Sequence, residues 1–263
     1  NNEMFQDYSG IEREISRLNF KSGETDIAGL GYQNEWLMYQ IGRGRESWTA
    51  NDDIDLLLSN NSFSYDKIDL AFDLNNYRFY YFHGFLENID NVNRYITGRA
   101  VEYTNHENLL FGISEVVIYS GINRPLDIAY LNPVSSHLEI ELNDKQNRIG
   151  TDSGNAIWQI SLDTHFKNFR FSTNFIIDEL ILDKVQSDNG KDNGLGFGGK
   201  VSWLPFKFQN LLFFSSLTRI GTHTYRHEDG YNNFVLRGSP IGYIYGNDSQ
   251  NFSLGFLYFN QNN

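Results

Sequence analysis

Residues 158–178 read WQISLDTHFKNFRFSTNFIID, and apolar and polar side chains alternate through both halves of this stretch. Trp158 and Ile160 share a row before the dipeptide KN, and Phe169 and Phe171 share a row after it. A period of two residues is typical of β-strands and does not fit the 3.6-residue period of a helix. The stretch therefore predicts a β-hairpin with KN as its turn.

The same alternation recurs along most of the chain. Between Ile68 and Leu74, for example, every second residue is apolar, and Asp69, Ala71 and Asp73 occupy the other row. The expected fold class is therefore all-β, with antiparallel strands. Strands are predicted near residues 13–20, 26–43, 65–74, 77–87, 94–104, 108–119, 156–166, 169–182, 194–206, 210–224 and 251–260.

The composition narrows the class of protein. The chain has 21 Phe and 16 Tyr but only 4 Pro, which suits long strands and a sheet that meets an interface. No run approaches the ~18 apolar residues of a membrane helix. The net charge of −12 argues against a nucleic-acid partner, because phosphate binding needs a dense basic face. The absence of cysteine excludes disulfides and thiolate metal sites.

The connections between the predicted strands fall into two kinds. Short polar turns (KSGE, NN, NHE, KN and QN) alternate with longer loops at 44–64, 88–93, 120–155, 183–193 and 225–250. This sorting is typical of a transmembrane β-barrel, which has short turns on one rim and long extracellular loops on the other. The apolar rows would then face lipid and the polar rows a wet lumen. A soluble, acidic β-sandwich is the alternative, since alternation alone does not show which row faces a core.

We expect residues 1–263 to form a single β-barrel domain that is a fragment of a larger barrel. About eleven strands are predicted, whereas single-chain bacterial barrels close with an even number. The first residues, NNEMFQDYSG, lack the basic and apolar regions of a signal peptide, so an exported protein would already have lost it. The 120–155 loop is rich in apolar residues and is expected to plug the barrel or to lie along its rim.

Glu115 interrupts an otherwise apolar row that includes Ile113 and Val117. A carboxylate that faces hydrocarbon is unfavourable. A β-bulge at Ser114 and Glu115 would turn the acid inward; otherwise Glu115 lies among headgroups at the outer rim, or the assignment of rows is reversed on this strand. An inward Arg99 near Glu115 would form an ion pair in the lumen, and its simplest role would be to brace the barrel wall.

The segment FGISEVVIYSGINRPLDIAYLNP at 111–133 is one of five segments of this chain that together resemble the capsule assembly Wzi family of outer-membrane proteins. The order of the five segments carries the likeness. The likeness covers residues 29–260, although Gly98-Arg99 stands where the family has His-Arg, and residues 151–155 depart from its Asp-Asn pair. The other four segments are IGRGRESWTANDDIDLLLSNNSFSYDKIDL (41–70), RYITGRAVEY (94–103), NFIIDELILDK (174–184) and RGSPIGYIYGNDSQNFSLGF (237–256).

The resemblance implies an outer-membrane β-barrel of a Gram-negative cell that binds capsular polysaccharide or exopolysaccharide and holds it at the surface, without catalysis. The implied partners are this polysaccharide and outer-membrane lipid. A porin or substrate-specific channel is the alternative, and an open lumen would favour it. A barrel-type lipase or deacylase is a third candidate, which needs a Ser and a His within hydrogen-bond reach.

The candidate ligand-binding residues lie towards the predicted long loops. Guanidinium groups bind the carboxylates of acidic sugars bidentately, and aromatic rings offer flat apolar faces to sugars. For each arginine the alternative is a solvated loop charge, and for each ring it is an anchor at the membrane interface. The candidates are Arg43, Arg45, Trp48, Arg99, Glu115, Tyr119, Arg124, Tyr130 and Asn132.

Signals for catalysis or metal binding are weak. His223 and His227 are four residues apart, but at a strand end, where helical metal geometry does not apply. The chain has no G-x-S-x-G or phosphate-loop motif. The acidic stretches 183–192 and 247–250 contain oxygen ligands that suit Ca²⁺, but not with EF-hand spacing. No catalytic residue, cofactor or metal is therefore expected.

Overall fold

The protein has an all-β fold. The computed structural model describes residues 12–15, 20–23, 27–48, 50, 52–142, 154–179, 193–205 and 210–259, with 12–15 and 20–23 described by their backbone alone. The strands in chain order are β1 (Glu12–Ile15), β2 (Phe20–Gly23), β3 (Ala28–Gln33), β4 (Leu37–Gly44), β5 (Tyr65–Leu74), β6 (Tyr77–Ile89), β7 (Val92–Thr104), β8 (Leu109–Ile122), β9 (Asn155–Phe166), β10 (Phe169–Glu179), β11 (Gly194–Trp203), β12 (Leu211–Ile220), β13 (Val235–Leu236), β14 (Ser239–Pro240) and β15 (Ser249–Tyr258).

Eleven of these strands form one antiparallel sheet. Its order is β15-β12-β11-β10-β9-β8-β7-β6-β5-β4-β3, so the chain runs as a meander from one edge of the sheet to the other. Two further pairs, β1–β2 and β13–β14, form separate antiparallel ladders. Two short helices, α1 (Ile128–Leu131) and α2 (His137–Leu142), lie between β8 and β9. In the part of the chain that the structure describes, no helix is long and apolar enough to cross a membrane.

Most predicted strands are confirmed, and 65–74 coincides with β5. Two predictions are wrong. The segment 26–43 is a hairpin, β3–β4, because the Asn34 side chain accepts hydrogen bonds from the N–H groups of Trp36 and Leu37 (3.0 and 2.8 Å) and so forms the turn. The segment 13–20 covers most of β1 and the first residue of β2, which pair with each other outside the large sheet.

The two rims of the sheet differ as the connections predicted. Residues 45–64, 123–154 and 221–248 connect strands at one rim, here called the loop rim, and the opposite rim, the turn rim, carries the short connections. The prediction of a longer loop at 88–93 is wrong. There β6 and β7 meet in a two-residue turn at Asp90 and Asn91, whose φ angles of 52° and 66° are tolerated best by short polar side chains and glycine.

The polar rows of the sheet are buried and the apolar rows are exposed. On β10, Ser172 and Asn174 are buried, whereas Phe171, in the opposite row of the same strand, is 44% exposed. The edge strand β15 repeats the pattern, with Leu254 76% exposed. A sheet that packs its apolar face against a core shows the opposite arrangement, so this sheet is inverted relative to a soluble sandwich.

The buried face is filled near the loop rim by residues 45–64 and 221–248. One end of the first loop contacts β5, and its Ile54 contacts β10 and β11. Strands that are far apart in the sheet thus touch the same loop, so this face is concave. The core includes Leu56, Leu57, Leu58, Phe234, Leu236 and Ile241 from the loops, packed on Phe82, Ile96, Ile118, Ile157, Ile176 and Ile220 from the strands.

Asn174 attaches the first loop to the concave face. It is fully buried, its Nδ2 donates to the carbonyl of Ile54 (2.8 Å), and its Oδ1 accepts from the N–H of Ala50 (3.3 Å). We expect Asn174→Leu to lower the free energy of unfolding by about 2–4 kcal/mol, because two buried backbone groups lose their partners. Thermal unfolding followed by circular dichroism measures the change. Phe175→Leu, on the exposed row of the same strand, is the control; an equal loss in both variants would contradict this role.

Candidate functional site

The described part of the β8–β9 connection, residues 123–142, lies on the convex face of the sheet and is here called the outer segment. Tyr130 of α1 stacks on Tyr119 of β8, with ring centroids 4.1 Å apart. Ala129 and Ile140 pack in the same cluster with Val117. The prediction that this loop plugs the interior is therefore wrong for the described residues. Its buried apolar residues pack instead against the outward rows of β7 and β8, and residues 143–153 lie outside the described part.

Glu115 faces the convex side and is covered by the outer segment. The β7–β8 pairing continues without a register shift from Val92–Ile122 to Thr104–Leu110, so the predicted bulge is absent there and the acid does not turn inward. Glu115 is 3% exposed and pairs with Arg99 at 2.9 Å. Its carboxylate also accepts from the N–H of His137 (3.1 Å). The predicted ion pair exists, but its expected position in a lumen is wrong.

Side chains of the convex face donate hydrogen bonds to backbone carbonyls of the outer segment. The Tyr81 hydroxyl and the Thr97 hydroxyl both donate to the Tyr130 carbonyl (3.2 and 3.3 Å). Arg99 donates to the Asn132 carbonyl at 3.2 Å. A buried carbonyl without a partner is unfavourable, so these donors fix the segment in one position.

The surface that the outer segment presents to its surroundings is largely apolar, although Asn123, Asn132 and Glu139 are also exposed. Leu126, Ile128, Val134 and Leu138 are between 50% and 84% exposed. The segment therefore buries the polar patch around Arg99 and Glu115 and covers it mainly with apolar side chains.

Arg124, Tyr119 and Tyr130 are committed to this packing. Arg124 pairs with Asp127 at 2.9 Å, donates to the Ser120 carbonyl at 2.8 Å and lies 4.8 Å from the centroid of the Tyr119 ring. Asp127 in turn caps α1 by accepting from the N–H of Ala129 (3.1 Å). All three candidates are buried, which leaves them little contact area for a ligand. Asn132, beside them, is exposed, and its amide donates to Ser135.

The other three candidates lie at the loop-rim end of β4 and in the following loop. Arg43 pairs with Asp66 at 3.2 Å, and Arg45 donates to the Asn60 carbonyl at 2.8 Å. Trp48 is on the concave side, edge-on to Tyr80 and Phe82, with both centroid distances 5.2 Å. The nine predicted residues therefore form no single site: six lie in the outer segment or directly beneath it, two lie near the rim and one lies in the core. Their role in ligand binding stays a prediction.

Buried charges and hydroxyls hold the loops on the concave side. Lys67 forms ion pairs with Glu46 and Asp69, and a cavity of about 500 Å³ lies beside them. The Tyr225 hydroxyl donates to the Leu56 carbonyl. Burial raises the pKa of Tyr225, so its phenol stays a neutral donor.

A second cavity opens at the loop rim and is here called the rim cavity. Its volume is about 590 Å³, which suits a small ligand. Sequence patterns missed it because its residues come from α2, β9, β10 and the 221–248 loop. Only the spatial order of the strands brings them together, and the pair His223 and His227 was the one available signal. The lining residues include His137, Asn155, Trp158, Asp178, His223, Arg226, His227 and Glu228.

The rim cavity combines a guanidinium, imidazoles, carboxylates and an indole. Such a mixture of donors, acceptors and one large aromatic surface suits a polyhydroxylated ligand. Within the described ranges, no group of three or more His, Asp or Glu is placed to hold a metal ion. In the acidic stretch 247–250, Asn247 and Asp248 bond to Thr222, and the stretch 183–192 lies outside the described residues.

Comparisons with protein-family models, with curated proteins and with solved structures find no match to this chain.

The buried pair of Arg99 and Glu115 gives a test of how the outer segment is held. We expect Arg99→Met to lower the free energy of unfolding by about 3–5 kcal/mol, because it leaves a buried carboxylate without its cation. Adding Glu115→Gln should restore much of this loss. The more exposed pair of Arg170 and Asp163 (2.9 Å), with side chains 52% and 22% exposed, is the control, and Arg170→Met should cost less than about 1 kcal/mol. Denaturant unfolding of the wild type and of these three variants measures the losses; equal effects at the two pairs would contradict this role of the buried pair.

Proposed function

We propose that this protein is a non-catalytic outer-membrane β-barrel that binds surface polysaccharide, capsular or exopolysaccharide, and holds it at the cell surface. The observation that carries the membrane placement is the inversion of the sheet, with polar rows buried and apolar rows exposed. The resemblance of five ordered segments to the capsule assembly Wzi family supports the polysaccharide role.

The exposed apolar side chains cover the convex face across the sheet. Soluble monomers rarely expose contiguous apolar patches larger than a few hundred Å², and a band of this kind is typical of strands that face lipid. Sheet strands β5 to β12 and β15 have 10 to 14 residues, enough for the ~9–11 residues of a tilted membrane strand. The band includes Leu30, Ile41, Phe79, Val101, Ile113, Ile160, Phe171, Val201, Leu217, Phe252 and Leu254.

Aromatic rings gather on the convex face at the turn rim. Phe169 stacks on Trp203 (6.0 Å), and Trp203 stacks on Phe213 (5.7 Å), across three adjacent strands. Tyr77 and Tyr103 form a similar pair, 5.3 Å apart, on β6 and β7. Membrane barrels carry such a belt where the hydrocarbon meets the headgroups, and these rings support the proposal that the turn rim lies at one membrane surface.

The filled concave side favours a binding protein over a channel. A diffusion porin needs an aqueous path through its interior. Here Leu57, Phe234 and Leu236, from two different loops, are fully buried in a packed core on that side. The rim cavity, by contrast, lies at the loop rim, where an extracellular polymer has access in the proposed orientation. This cavity is the proposed polysaccharide site, and Arg226 is the proposed partner of a sugar carboxylate.

The membrane placement can be tested by fluorescence quenching in lipid vesicles. The chain has no cysteine, so a single Cys at Phe171→Cys or Glu107→Cys accepts one bimane label. We expect brominated acyl chains to quench bimane at position 171 of the convex band and to leave it bright at position 107 in a turn-rim connection. A water-soluble sandwich would show no quenching at either position.

The polysaccharide site can be tested on immobilised polygalacturonate, a polymer of uronic acid. The double variant Arg226→Gln, His223→Gln should be retained about tenfold less at low salt, because a charge-assisted bond contributes ~1.5–3 kcal/mol. The matched control changes the same residue types at exposed positions outside the cavity, as Arg219→Gln, His165→Gln. Equal retention of the two variants would rule out the rim cavity. Open-channel conductance of the full-length protein in planar bilayers, without retention, would replace the proposal with a porin.

A further inference from the structure

A groove of about 710 Å³ runs along the convex face, between the strands and the outer segment, and is here called the outer groove. One wall is formed by Ile41, Ile68 and Phe85, which share the outward rows of β4, β5 and β6. The other wall is formed by Leu126 and Leu131 of the outer segment. Both walls are apolar, and the groove opens on the exposed apolar band.

From this groove we infer a lipid site: one acyl chain of a membrane phospholipid lies in the outer groove, beside the outer segment. The inference rests on the proposed membrane placement, because the groove then opens directly into hydrocarbon. An apolar fissure in that environment has no water to fill it, and close packing of its walls requires an occupant with methylene groups.

The charges at one end of the groove give the orientation of the lipid. Arg43 and Asp66 lie at the loop-rim end, 3.2 Å apart, and the Asp66 side chain is 69% exposed. This pair complements a zwitterionic headgroup, with the phosphate beside the guanidinium and the ammonium beside the carboxylate. The acyl chain then runs from this end past Phe85 towards Leu131.

The other polar side chains of the groove lining, His83, Tyr95 and Lys67, are already used by the protein. The Tyr95 hydroxyl donates to the Arg124 carbonyl at 2.9 Å, and Lys67 forms ion pairs with Glu46 and Asp69. The His83 imidazole is 2.7 Å from the Tyr119 hydroxyl, and both side chains are buried. The lining near the acyl chain therefore offers packing rather than hydrogen bonds. Small residues, Ala28 and Gly42, lie at the β3–β4 side of the groove and leave room there.

Native mass spectrometry of the full chain in detergent tests this site, with dimyristoyl-phosphatidylethanolamine as the probe. We expect the wild-type protein to retain one lipid after collisional removal of the micelle. Ile68→Trp fills the groove from the strand wall, and Leu126→Trp fills it from the outer segment. Each should weaken lipid binding about tenfold or more, since every excluded methylene accounts for roughly a fourfold change in affinity.

Ile113→Trp is the matched control, because Ile113 lies on the same convex face but outside the groove lining. It should retain the lipid as the wild type does. Equal retention by all three tryptophan variants, or no retention by the wild type, would overturn the lipid site. Flotation of the wild type with vesicles of the same lipid separates this failure from that of the proposed function. A protein that floats but retains no lipid refutes the groove alone, and a protein that does not float refutes both.

Discussion

The fold depends on hydrogen bonds that strand side chains donate to the backbone of the long loops. A loop packed against a sheet buries carbonyls that neither water nor a neighbouring strand can reach. Arg94 of β7, 2% exposed, supplies three such bonds at once, to the carbonyls of Tyr231, Asn233 and Val235, while it pairs with Glu87. Asn174 plays the same part for the 45–64 loop, and Arg99 for the outer segment. These bonds satisfy carbonyls that the close packing of the three segments buries.

This requirement explains why the buried rows of the sheet are polar although they face a packed interior. Towards the loop rim the concave rows are mixed, with Ile118, Ile157 and Ile176 beside Asn155 and Asn174. The apolar residues pack on the loops, and the polar ones satisfy the backbone of those loops. The convex rows contact loop backbone under the outer segment, and there Thr97 and Arg99 donate hydrogen bonds to its carbonyls. The polarity of each row thus follows the local backbone it has to contact.

The sequence allowed the strands and the division of each strand into two rows to be predicted, because each row of a strand such as β10 contacts one kind of environment along most of its length. Alternation alone did not show which row is buried. It did not allow the position of the outer segment to be predicted. The number of apolar residues in this segment indicates that part of it is buried, but it does not show which residues are. Tyr130 faces the sheet, whereas Ile128 faces outward within the same short helix. The turn at Asp90 and Asn91 was missed because the polar residues around it were counted as loop. The rim cavity was missed because strand order in space, and not spacing in the sequence, brings its side chains together.

The outer segment covers Arg99 and Glu115, and this has a consequence for the insertion of the protein into a membrane. In the proposed membrane placement, the β7–β8 hairpin without the outer segment would expose an ion pair to hydrocarbon, which is strongly unfavourable. The outer segment must therefore pack onto the strands before, or together with, their entry into the bilayer. Insertion of one strand at a time would expose this ion pair to hydrocarbon at the β7–β8 hairpin. Insertion of a partly folded unit, in which the outer segment already covers the pair, would avoid that cost.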